Sequence, residues 1–104
     1  MASPKRGEVW LVDLGYLAKI RPCLIFSIEP ELQDRALVTV VIHTTSLRGS
    51  QFEVVTQVRF LQSGAFDAQN LITISIAKLQ RRLGTLPPDQ LALVEDSVRH
   101  GLGV

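Results

Sequence analysis

Residues 37–58 read LVTVVIHTTSLRGSQFEVVTQV. The first eight of them, Leu37 to Thr44, are almost all β-branched or apolar. Such side chains lose little in a pleated strand and crowd the preceding turn of a helix, so the run predicts a buried strand. Leu47-Arg48-Gly49-Ser50 supplies a turn. Phe52 to Val58 then alternates Phe52, Val54 and Thr56 against Glu53 and Val55, which predicts the strand that pairs with the first in a hairpin.

Working outward, GEVWLVDL (7–14) reads as a strand with Val9 and Leu11 on one face and Trp10, Val12 and Leu14 on the other. Gly15 ends it, and the short connection Gly15 to Lys19 predicts an antiparallel return over Arg21 to Ser27. IEPELQDR (28–35) is a polar loop. After a turn at Ser63-Gly64, Leu71, Ile72 and Ile74 predict a further strand, and Ser75 to Gln80 fits either a short helix or a continuing strand. Pro88 suits a first helical position and Asp89 the positive end of the helix dipole. Leu91, Val94, Val98 and Leu102 then fall on one apolar stripe, with Gly101 and Gly103 as stops. The sum is a small, strongly bent antiparallel sheet with a C-terminal helix packed on it.

The totals narrow the function classes. A chain of 104 residues, 46% hydrophobic and 20% charged, is expected to form a single domain, residues 1–104, with its own core. It has no apolar run of the roughly 18 residues that a membrane span needs, and no apolar segment follows the basic pair in MASPKRGEVW (1–10) to make a secretory signal. A lone Cys23 excludes an internal disulfide and fits a reducing cytoplasm. One cysteine with the distant His43 and His100 makes no metal-ligand set, so no metal or other cofactor is expected. The net charge of +1 does not by itself point to a polyanion; such a partner would have to meet a local patch, around Lys19 and Arg21 or around Arg81 and Arg82.

Two features carry chemistry. In IRPCLIF (20–26) the proline disfavours helical backbone for Arg21 and restricts this position to a strand's start or edge, which mounts a guanidinium stiffly at a sheet rim. Cys23 and Ile25 share its face. A planar fork placed there suits a phosphate in two-point contact. In IHTTS (42–46) three hydroxyls, Thr44, Thr45 and Ser46, cluster at a strand end beside Arg48. Hydroxyls near turns more often bond to the local backbone. Period two puts His43 and Thr44 on opposite faces, so His43 shares a cleft with Thr44 only through a bulge.

Together these segments resemble the MazF/PemK family of toxins from type II toxin–antitoxin modules. KRGEVWLVDL (5–14) is similar to the family's opening strand, IRPCLIFS (20–27) to its Arg-Pro strand, VTVVIHTTSLRGSQFEVV (38–55) to its central hairpin, and LPPDQLALVEDSVRHGL (86–102) to its closing helix. The resemblance implies a mainly β fold, a small SH3-like barrel with a C-terminal helix, that forms a homodimer. It further implies a metal-independent, sequence-specific endoribonuclease in the cytoplasm that cuts single-stranded RNA by 2′-hydroxyl attack and is silenced by a cognate antitoxin. The family's active arginine falls on Arg21 and its active threonine on Thr44. Lys19, His43, Thr45, Ser46, Arg48, Asp67, Gln69 and Asn70 are further candidates for catalysis or RNA binding.

The sequence departs from the family pattern in places. GYLAK (15–19) is all that stands where many relatives carry a longer, acidic loop. In AFDAQNLITI (65–74), Gln69, Asn70 and Ile72 stand where an acidic residue, a glutamine and a basic residue are common. Amides bind base edges and do not take protons at neutral pH, so Asp67 is the carboxylate nearest that position. Ile42 replaces a proline. Two other readings follow. One is a gyrase-binding poison like the related CcdB toxins, against which stands a C-terminus of GLGV with the only tryptophan at position 10. The other is a catalytically weak barrel that keeps the antitoxin-binding surface.

Overall fold

The run Leu37–Thr44 forms a central strand, β3, in a computed structural model that describes residues 3–17 and 19–104. Around it lie β1 (Glu8–Asp13), β2 (Ile20–Ile25), β4 (Glu53–Thr56), β5 (Gly64–Ser75) and β6 (Leu79–Thr85), followed by helix α1 (Pro88–Leu102). All pairings are antiparallel, and the strand order is β4-β5-β3-β2-β1-β6. Position 18 of the Gly15–Lys19 connection lies outside the described residues. The connection closes through Leu14 N–H to Lys19 O at 2.9 Å and Lys19 N–H to Gly15 O at 2.8 Å.

This sheet cannot be flat. β5 and β6 are four strand spacings apart in the order, about 19 Å in a planar sheet. Yet the chain passes between them through Ile76–Lys78 alone, a 3₁₀ turn rising only about 2 Å per residue. The sheet therefore curls until its two sides meet, as the expected barrel requires. The enclosed face collects Val12, Cys23, Ile25, Val38, Val40, Ile42 and Leu79, with Trp10, Leu14, Ile72, Ile74 and Ile76 packed against them. The segment 75–80, read as a short helix or a continuing strand, is a short 3₁₀ helix, Ile76–Lys78, that forms a corner between the end of β5 and the start of β6.

The outer face is also apolar. Val9, Leu24, Val41, Phe66 and Ala68 form a second buried cluster with Leu86 and with Val94 and Val98 of α1, and Phe52, Phe60 and Leu61 lean on it. Each fully buried Val, Leu or Phe contributes roughly 1.5–3 kcal/mol, whereas an exposed ion pair contributes about 0–1 kcal/mol. The helix is thus held by Val94 and Val98, and its surface pair with Arg6 through Glu95 is secondary. Gly103, at φ 75°, caps the helix with its N–H on the Arg99 and His100 carbonyls, while Gly101 lies inside it. Leu102, assigned to the apolar stripe, is exposed where the helix runs past the sheet.

The largest correction concerns the central hairpin. Phe52 to Val58 does not pair with β3: the strand there, β4, pairs with β5, and β5 lies between the two. Residues 45–52 make a connection longer than tight hairpin loops, which leaves room for a strand to enter. β5 is also longer than its apolar residues suggested, beginning at Gly64 rather than near Leu71. Gly64 is what lets it enter. A Cβ there would stand well inside van der Waals contact of the Thr44 carbonyl oxygen and 2.9 Å from His43 Cε1. Gly64→Ala is accordingly expected to cost about 1–3 kcal/mol through overpacking against backbone, read as a lowered midpoint in urea unfolding; an unchanged midpoint would contradict the contact.

Candidate active site

The β2–β3 ladder pairs Ile25 with Val40, Leu24 with Val41 and Cys23 with Ile42, and stops there. The next β2 residue is Pro22, which has no N–H to extend it. Continued without hydrogen bonds, the register sets Pro22 against His43 and Arg21 against Thr44. Arg21 remains tied to β1, opposite Val12. Arg21 and Thr44 therefore face each other on the enclosed side of the sheet, across a gap in the ladder at the barrel's mouth.

A cavity of about 400 Å³ opens at this mouth, bordered by Arg21, Thr44, Ser46 and Arg48. Asp67, Gln69 and Asn70 line it from β5. They reach it because the β3–β5 register shifts between Val41, opposite Leu71, and His43, opposite Phe66. One β3 residue there faces four on β5, and the surplus bulges over the opening. Asp67 Oδ1 accepts the Gln69 N–H at 3.1 Å, which fixes the bulge. Thr44 Oγ1 accepts the Ser46 N–H at 3.0 Å, the local bond expected of a hydroxyl near a turn.

One lining residue, Glu53, was not among the sequence candidates. Its carboxylate accepts the backbone N–H groups of Arg48, Gly49 and Ser50 at 2.9–3.2 Å and so shapes the loop that carries Ser46 and Arg48. The Arg48 N–H, with those of Ser50 and Gly49 and the Arg48 charge, lowers its pKa below the ordinary value against the opposing effect of desolvation. The signal in the sequence is the Ser50-x-x-Glu53 spacing, a reciprocal pattern familiar at helix starts and used here in a loop.

His43 does not join this cavity. It shares the opposite face with Pro22, its ring edge-on to Phe66 at 5.1 Å between centroids. With Lys19 and Thr45 it borders a different cavity, which touches the first only through Arg21. Burial lowers the His43 pKa, keeping the ring neutral at pH 7. The Cys23 thiol, buried in the barrel, is pushed up to about 12 by desolvation, so it offers no thiolate. The candidates thus divide: Arg21, Thr44, Ser46, Arg48, Asp67, Gln69 and Asn70 meet at the mouth, while Lys19, His43 and Thr45 lie behind it.

A curled β barrel whose mouth sets guanidinium groups beside hydroxyls, amides and carboxylates has the donor groups that suit a phosphate. Residues 5–102 match the family described as PemK-like, MazF-like toxin of type II toxin–antitoxin system, and the chain belongs to that family. It is similar to a mycobacterial endoribonuclease solved in complex with its cognate antitoxin, at 28% identity and a TM-score of 0.85 over 98% of this chain and 97% of that one. The Mycobacterium tuberculosis toxin MazF-mt6 is 26% identical with a TM-score of 0.79, over 93% of this chain and 97% of that one. The MazE–MazF structure from Deinococcus radiodurans, at 22% identity and a TM-score of 0.84 over 100% and 99% of the two chains, shares the fold. Among the described residues no helix is long and apolar enough to cross a membrane.

Two titrations follow from this electrostatic arrangement. Glu53 has a lowered folded pKa, so its stabilisation is present above the unfolded carboxylate range and is lost as pH falls through the folded value. Glu53→Gln should flatten that acid dependence and speed amide hydrogen exchange at Arg48, Gly49 and Ser50 at pH 7. The His43 pKa is also lowered, so folding favours the neutral ring and stability falls as pH drops below about 6.5. NMR titration should place the His43 midpoint below 6.5; a midpoint above it would contradict the burial.

Proposed function

We propose that the protein is a metal-independent endoribonuclease toxin that cleaves single-stranded RNA in the cytoplasm. It acts as a single-domain protein, is a homodimer in its working form, and is neutralised by a cognate antitoxin. The observation that carries this reading is the pairing of Arg21 with Thr44 across the interrupted ladder, beside Arg48 and facing Asp67. Its likeness to a mycobacterial endoribonuclease at 28% identity and to the toxin MazF-mt6 at 26% supports it.

The 2′-oxygen attacks the adjacent phosphorus, the 2′-O–P bond forms and the P–O5′ bond breaks. The products are a 2′,3′-cyclic phosphate and a 5′-hydroxyl. Negative charge grows on the equatorial oxygens, where a fixed guanidinium and a hydroxyl donor stabilise it most. Arg21 neutralises these oxygens and donates toward the departing O5′; Thr44 orients the phosphate. The Glu53 carboxylate is held by backbone N–H groups and His43 lies on the other face. Asp67 is the remaining carboxylate of the cavity, and it accepts the 2′-hydroxyl proton. Ser46, Gln69 and Asn70 supply donors and acceptors for base edges.

Purified protein incubated with a long single-stranded RNA in EDTA should yield cyclic phosphate ends. Arg21→Ala and Asp67→Asn should each lower kcat by about 10²–10⁴-fold, and Thr44→Val by about 10-fold or more. Full activity of Arg21→Ala would overturn the assignment. Growth arrest without cleavage of any RNA would overturn the ribonuclease and favour a binding poison.

A further inference from the structure

The cavity behind Arg21, of about 460 Å³, differs in character from the one at the mouth. Phe60 and Leu61 from the β4–β5 connection, with Pro22 and Leu83, give it an apolar wall. Lys19, Arg21 and Arg81 border it, and among the described residues no carboxylate does, whereas Glu53 and Asp67 line the first cavity. His43 also lines it, only 3% exposed, and its Nε2 is buried with no hydrogen-bond partner. A buried polar atom left unpaired costs about 1–3 kcal/mol, so a ligand that satisfies it gains what the empty protein forgoes. The ring is neutral and offers one donor and one acceptor nitrogen.

An aromatic and aliphatic wall, an unsatisfied imidazole and a rim of cations without carboxylates suit a nucleotide: the base stacks on the apolar wall, its edge bonds to the ring, and its phosphate meets the cations. A volume in the usual range for ligand sites admits a base with its ribose. Connectivity points the same way. Arg21 borders both cavities, and the consecutive Thr44 and Thr45 line one each. A strand whose phosphate lies on Arg21 thus has one neighbouring nucleotide directed to each side. We propose that the second cavity is a subsite for the nucleotide adjoining the cleaved phosphate, with His43 reading its base edge. The position in the RNA rests on the ribonuclease reading; the binding of a nucleotide does not.

The two histidines of the chain, His43 and His100, make the binding observable. Imidazole NMR signals, assigned with His100→Gln, would be followed during titration with each of the four ribonucleoside 3′-monophosphates. At least one should move the His43 signals saturably and leave those of His100 in place. Arg81→Ala, at an exposed position, and Leu83→Trp, which fills the cavity, should each weaken that binding by about 5-fold or more. On RNA, an abasic residue next to the cleaved phosphate should lower kcat/KM about 10-fold for the wild type and cause no further loss in His43→Phe. A silent His43 with cleavage intact, binding unchanged in Arg81→Ala, or an equal abasic penalty in both proteins would overturn the subsite. Saturable binding without any cleavage would support the subsite and overturn the ribonuclease reading instead.

Discussion

Ile76–Lys78 must carry the chain between strands that a planar sheet would hold about 19 Å apart, and no 3₁₀ turn of that length can do so. Curling resolves the conflict, and most of the architecture follows from it. The concave face becomes an interior that only apolar side chains can fill, which is why Val12, Cys23, Ile25 and Val40 are wholly buried in a sheet of six strands. The convex face still needs cover, supplied by α1 and by the β4–β5 connection with Phe60 and Leu61. Because both faces are consumed, polar chemistry is confined to the ends of the barrel.

At one end, three local features act on the same opening. Pro22 withholds the donor that would extend the β2–β3 ladder, so Arg21 and Thr44 face each other without a hydrogen-bonded backbone between them. The surplus residues of β5 arch over the gap and bring Asp67, Gln69 and Asn70 to it. Glu53 gathers the N–H groups of residues 48–50 and thereby sets the loop bearing Arg48. Glu53 lines the cavity, and its carboxylate is occupied by backbone N–H groups that shape the loop. The site is a set of interruptions in regular pairing, each with its own sequence cause.

Those causes were unequally legible. Local pattern sufficed for β1, β2, β3 and α1, where period two or the apolar stripe is strong, and for the position of Arg21 at the start of β2. It failed at β4 and β5 because strand pairing is a long-range choice. Nothing within residues 37–58 tells whether the alternating partner lies beside β3 or one strand away, and the decisive residue, Gly64, reads as a turn. The β5 register shift left no mark either, since Asp67–Asn70 are polar residues that equally suit a loop. β6 was hidden by Gln80, Arg81 and Arg82, exposed residues of an edge strand. Glu53 carried a signal, its spacing from Ser50, in a context where that spacing usually announces a helix.

Burial has one further consequence for the chemistry. The groups most easily recruited near neutral pH are imidazole and thiol, and burial acts on both: desolvation raises Cys23 to about 12 and lowers His43, whose ring lies on the other face from Arg21 and Thr44. What remains at the mouth is a set of guanidinium, carboxylate and hydroxyl groups. In the proposed reaction Asp67 takes one proton, and the rest of the set acts by placement, with charges fixed before the substrate arrives. On the proposed reaction, the constraints that Pro22, Gly64 and Glu53 place on the opening belong to the chemistry as much as the side chains that line it.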